Sequence, residues 1–104
     1  MELNTELMDM DLTVRSYNCL RRAGANTAED VLLLVGNNLQ ALLAVRNLSP
    51  KCIREILTKL KRGGFSVEHA VDNYLLENAG QLDTETLSGW SEFAETLRNT
   101  PADL

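Results

Sequence analysis

The sequence predicts an all-α fold, and three observations carry that prediction. No segment sustains the apolar/polar alternation of a half-buried strand. Apolar residues recur instead at three- and four-residue spacing, and the stretches in which they do so are bracketed by helix-start and helix-stop residues.

Taken in order, Thr13 is placed to cap a helix in which Val14, Tyr17 and Leu20 form the apolar stripe, and Gly24 closes it, giving a first helix of about Val14 to Ala23. Thr27, three residues before Asp30, marks a second start and predicts a short helix from Ala28 to Val35. Gly36-Asn37-Asn38 supplies residues that tolerate left-handed backbone, and Leu39, Leu42 and Leu43 then predict another short helix. Ser49-Pro50 is the clearest start, a capping hydroxyl followed by a proline whose missing N–H costs nothing at the first helical position. Ile53, Ile56, Leu57 and Leu60 make the stripe of that helix, Lys51, Glu55 and Lys59 fall on another face, and Gly63-Gly64 ends it. Val67, Ala70, Val71, Tyr74 and Leu75 predict a fifth helix that stops near Gly80. Asp83 or Thr84 opens a sixth with Leu87, Trp90, Ala94 and Leu97 inward and Pro101 as its stop.

A chain of 104 residues has room for one domain, and 44% hydrophobic with 24% charged residues is the composition of an ordinary soluble globular protein. Aromatics are only 5%, so the core is expected from Leu, Val, Ile and Ala. The longest apolar run, Val31 to Val35, is far too short to span a bilayer. Without a basic or apolar leader at the start, a cytoplasmic protein with free Cys19 and Cys52 and no membrane partner is expected. His69 has no nucleophile or paired carboxylate near it, and the two cysteines match no C-x-x-C pattern. No phosphate-cradling glycine loop appears either. Catalysis, metal ligation and cofactor binding therefore have no support.

A net charge of −5 argues at first against nucleic acid, but the charge is unevenly placed. Residues 1–11 form an acidic arm of −4, and residues 12–65 carry nine bases against three acids, a net of +6. Residues 66–104 form an acidic helical extension of −7. In the basic segment the turn Arg46 to Lys51 feeds a helix N-terminus, whose free N–H groups and dipole suit a phosphate. The same cations are also consistent with a solvated surface.

The string Leu12-Thr13-Val14-Arg15-Ser16-Tyr17-Asn18-Cys19-Leu20, followed by Arg46-Asn47-Leu48-Ser49-Pro50-Lys51-Cys52-Ile53-Arg54-Glu55-Ile56, resembles the C-terminal domain of the bacterial RNA polymerase alpha subunit. The resemblance runs from about Asp9 to Phe65. It implies a compact four-helix domain with a helix–hairpin–helix-like unit, here followed by two C-terminal amphipathic helices. It also implies a non-catalytic DNA-binding transcription module that enters the A·T-rich minor groove and touches sigma factor, RNA polymerase or a transcription regulator. By that resemblance Arg15 enters the groove, Asn18 and Cys19 are its neighbours, and Lys51 contacts the backbone. Ser49, Cys52 and Glu55 fall on the same surface, and Asp9, Met10 and Asp11 fall on an acidic sigma-contacting patch.

Three departures stand out. Ser49 replaces a usual glycine and Pro50 a basic residue, while Cys52 replaces a serine able to bond phosphate. These imply weaker DNA contact, or a protein–protein interaction module on the same fold. The resemblance leaves residues 66–104 without a counterpart. They are expected to enlarge the core or form a homodimer, or else to lay carboxylates over the basic face. Lacking an assembly domain, the protein is expected to be a stand-alone relative or an excised piece.

Overall fold

In the computed structural model, which describes residues 1–103, Thr13 opens α1 (Val14–Arg22) by accepting a hydrogen bond from the Ser16 amide, and Gly24 turns the backbone away at φ +94°. α2 (Ala28–Val35) starts with a reciprocal capping box: Thr27 accepts from the Asp30 amide and Asp30 from the Thr27 amide. α3 (Gln40–Leu43) is a single turn. α4 (Pro50–Arg62) is capped by Ser49, whose hydroxyl accepts from the Cys52 amide at 3.2 Å. α5 (Glu68–Asn78) and α6 (Thr84–Arg98) complete the fold, and Asp83 caps α6 through the Thr86 amide at 2.7 Å. The all-α class and all six helices are as the periodicity predicts.

Three details differ. Val14 is 75% exposed, because α1 turns Ser16 and Cys19 inward beside Leu20, so Leu20 alone of the Val14, Tyr17 and Leu20 stripe is fully buried. In the turn before α3, Leu39, not an asparagine, takes the left-handed backbone at φ +64°. Its side chain is fully buried, and burial worth about 2 kcal/mol offsets the roughly 1–2 kcal/mol that such a backbone costs any residue with a Cβ.

Residues 1–11 are the third difference, since they pack as part of the domain rather than hanging from it as an arm. The amide of Leu7 donates to Asn26, and those of Ala28 and Glu29 donate back to Thr5 and Leu3. A one-turn 3-10 helix (Leu7–Asp9) then places Leu7 and Met10 in the core.

One continuous core runs through the molecule. Leu20, Val31, Leu42, Ile53, Ile56, Leu57 and Leu60 share it with Val67, Ala70, Val71, Trp90, Ala94 and Leu97, so α5 and α6 enlarge the domain. Of the two apolar stripes, Val67, Ala70, Val71, Trp90, Ala94 and Leu97 are buried in this core, and Tyr74, Leu75 and Leu87 are half-buried. A radius of gyration of 13.0 Å matches the ~13 Å of a single domain this long. Trp90 meets Tyr74 and Phe93 edge-on at 5.7 and 6.0 Å. The guanidinium of Arg54 lies 5.0 Å from the Trp90 ring centre. α6 can approach this closely because Gly89 faces it: a Cβ there would stand 3.2 Å from an Arg54 nitrogen.

Candidate nucleic-acid interface

The segment from Asn47 to Lys59 runs back along α1, joined to it at three levels. At the far end the Cys19 thiol donates to the Asn47 carbonyl at 3.5 Å. In the middle Glu55 reaches across to the start of α1. Its Oε1 accepts from Ser16 Oγ at 2.5 Å and Thr13 Oγ1 at 2.9 Å, and its Oε2 accepts from the Thr13 amide at 2.7 Å. At the near end Lys59 pairs with Asp11 at 3.0 Å.

Glu55 is thus a long-range cap for α1, a carboxylate at the positive end of a helix dipole. Burial opposes its ionisation, but the bonds from Ser16 and Thr13 and the charge of Lys59 outweigh that and hold its carboxyl below the ordinary value.

On this frame Arg15 and Asn18 project from the exposed side of α1, three residues apart and so on one face. Lys51 is exposed at the start of α4. Cys19 and Cys52 are buried, only 3% and 7% exposed, so their side chains shape the surface from beneath. Burial pushes the Cys52 thiol up, while the hydroxyls of Ser16 and Ser49, the Ser49 backbone and the charge of Arg15 pull it down further, leaving it below the ordinary thiol value.

The departures at Ser49 and Pro50 have a local consequence. Ser49 sits in extended backbone at φ −77°, which needs no glycine. The left-handed residue of the turn is Asn47, at φ +65°. Because Pro50 has no N–H and Ser49 already takes the Cys52 amide, Lys51 alone of the first three residues of α4 keeps a free amide.

Among the described residues, Arg15, Arg22, Arg46 and Lys51 form no ion pair, whereas some acids of the extension are engaged elsewhere. Glu68 pairs with Lys61, and Asp72 with Arg98. No carboxylate of residues 66–103 is paired with Arg15, Arg22, Arg46 or Lys51, although Glu68 does pair with Lys61 of the same basic segment.

Asp9 is exposed on the 3-10 turn, and the Asp11 side chain is 93% exposed. Met10 between them is 1% exposed and anchors the turn, so any contact made by this stretch falls to the two aspartates.

Sequence reasoning missed the parts of Ser16 and Thr13 as partners of Glu55, and that of Asn47 as the hinge of the turn. Ser16, a polar residue at an inward position of α1, was the available signal.

The candidate interface is thus one edge of a small all-helical domain, on which Arg15, Arg22, Arg46 and Lys51 stand without ion-pair partners among the described residues. Residues 1–62 match the family of C-terminal domains of the bacterial RNA polymerase alpha subunit, and the protein belongs to that family. Similar proteins include the DNA-directed RNA polymerase subunit alpha of Desulforudis audaxviator, 42% identical over 67 residues, covering 64% of this chain and 20% of that protein. The subunit alpha of Symbiobacterium thermophilum is 43% identical over 72 residues, covering 69% and 21%. That of Frankia alni is 36% identical over 104 aligned positions, covering 91% and 29%. The present sequence therefore spans between a fifth and a third of the length of these relatives. The Frankia alignment reaches into α5 and α6, so part of the region the resemblance left unplaced does have a counterpart. No solved structure gives a significant match.

Proposed function

We propose that this domain is a non-catalytic transcription module that inserts Arg15 into the narrow minor groove of A·T-rich DNA. In this reading Asn18 lies beside the groove and Lys51, with its free amide, holds a phosphate. Asp9 and Asp11 offer the carboxylates that meet a basic surface of sigma factor or of another transcription protein.

One observation carries this reading. The clasp of Glu55 on Thr13 and Ser16 fixes α1 against α4, so that Arg15 projects beside the start of α4 with no carboxylate to neutralise it. A guanidinium suits the enhanced negative potential of a narrow groove, and phosphate contacts fix register without reading sequence.

Fluorescence anisotropy with A·T-rich and G·C-rich duplexes tests the proposal. Arg15→Ala is expected to weaken A·T-rich binding by roughly 10- to 100-fold and to abolish the preference between the two duplexes. The single free amide at α4 favours a second reading, a protein-binding module on the same fold. Equal affinity of wild type and Arg15→Ala for A·T-rich DNA would select that reading.

A further inference from the structure

Arg22 lies four residues beyond Asn18 and seven beyond Arg15, so the three side chains form one ridge along the exposed face of α1, about 10 Å from first to last. Past the end of that ridge the surface dips into an open concavity of about 300 Å³ lined by Cys19, Arg22, Ala23, Val45, Arg46 and Asn47. Two guanidiniums therefore flank one depression whose floor is a thiol, two apolar side chains and the turn backbone, with no acid in the lining. Neither arginine has an ion-pair partner among the described residues. Two like charges held around one hollow repel each other until an anion lies between them.

We propose that Arg22 and Arg46 form a phosphate clamp that grips the DNA backbone on one side of the groove entered by Arg15, a role that rests on the DNA-binding reading of Arg15. The dimensions fit. The minor groove is about 6 Å wide, so a ridge about 10 Å long that starts in the groove ends on the phosphates of its wall. The clamp also accounts for the altered start of α4. Pro50 brings no N–H and Ser49 occupies the Cys52 amide, so the backbone grip of that helix end is reduced. The Arg22 and Arg46 pair places two cations at the opposite end of the same turn. The thiol bond from Cys19 to Asn47 sets the distance between the two sides of the clamp.

The test is the salt dependence of binding by the 104-residue protein to A·T-rich and G·C-rich duplexes. Each neutralised phosphate contributes about 0.9 to the slope of log K against log salt, so Arg22→Ala/Arg46→Ala is expected to flatten that slope by about 1.8. The advantage of wild type over the variant then shrinks about 12-fold between roughly 50 and 200 mM salt, equally on both duplexes. Both side chains are exposed, and an unchanged thermal melt establishes that the variant is folded. Arg62→Ala, at the other end of α4, is expected to leave the slope unchanged.

A slope for the double variant within about 0.5 of wild type, with Arg15→Ala still erasing the A·T preference, overturns the clamp and leaves the groove reading standing. Loss of the A·T preference with an unchanged slope also overturns it. So does an equal flattening per charge from Arg62→Ala, because the effect is then net charge and not contact. A wild-type protein that binds neither duplex removes both readings together.

Discussion

Replacing Glu55 by alanine removes three hydrogen bonds that converge on the start of α1. The largest loss falls on Ser16, whose fully buried hydroxyl is left without its 2.5 Å partner. That hydroxyl keeps only the 3.2 Å contact from Thr13 Oγ1 and loses a charged acceptor, which costs about 1.5–2 kcal/mol. The two Thr13 groups are exposed and exchange the carboxylate for water, so they add only about 0.5–1 kcal/mol, the usual worth of a cap. The expected destabilisation is about 2–3 kcal/mol, which for a domain of this size lowers the melting midpoint by roughly 10 °C. Glu55→Gln keeps the shape and one acceptor oxygen and loses about half as much.

Because the Glu55 carboxyl is held below its ordinary value of 4.5, its contribution is complete above that pH and is lost as the pH falls through the lowered value. The gap between wild type and Glu55→Ala therefore closes in acid. Urea unfolding followed by far-UV circular dichroism, at neutral pH and at a series of lower values, measures both quantities. A neutral-pH difference under about 0.5 kcal/mol, or a gap that stays constant into acid, would refute the assignment of Glu55 as the clasp between α1 and α4.

The other predictions concern the turn and the extension. Asn47→Val forces a β-branched residue into left-handed backbone and is expected to cost about 1–2 kcal/mol, whereas Asn47→Gly holds or slightly raises the melting midpoint. Thermal melts that rank valine at or above glycine would contradict the turn geometry. Trp90→Ala removes a side chain 3% exposed, together with its edge contacts to Tyr74 and Phe93 and its face contact to Arg54. About 3–5 kcal/mol is expected to be lost from the whole domain in one cooperative transition. A variant in which only α5 and α6 melt early, with the remainder keeping its midpoint, would show that the core is not continuous.

The helices were legible by periodicity, and four of the six, α1, α2, α4 and α6, are marked a second time by a side-chain cap. Thr13, Thr27, Ser49 and Asp83 all accept the amide bonds their positions imply. Residues 1–11 were misjudged because their acids are conspicuous, while their two anchors, Leu7 and Met10, are a single apolar pair too short to show a period.

At the site, Arg15, Asn18 and Lys51 could be named from the string that carries the resemblance. The carboxylate that aligns their helices could not be given its place, because the Glu55 bonds to Thr13 and Ser16 span about forty residues of sequence. The same limit hid the exposure of Val14 and the burial of Met10. Spacing along a helix says which residues share a face, and only packing says which face turns inward.

The central claim is that the cationic edge of α1, the Asn47 turn and the start of α4 meets DNA. Titration of the isotope-labelled 104-residue protein with an A·T-rich duplex, followed by two-dimensional amide NMR, tests it most directly. Shifts concentrated at Arg15, Asn18, Arg22, Arg46, Asn47 and Lys51, with α5 and α6 unmoved, are the predicted result. Shifts confined to α5 and α6, or none at low salt, would contradict it.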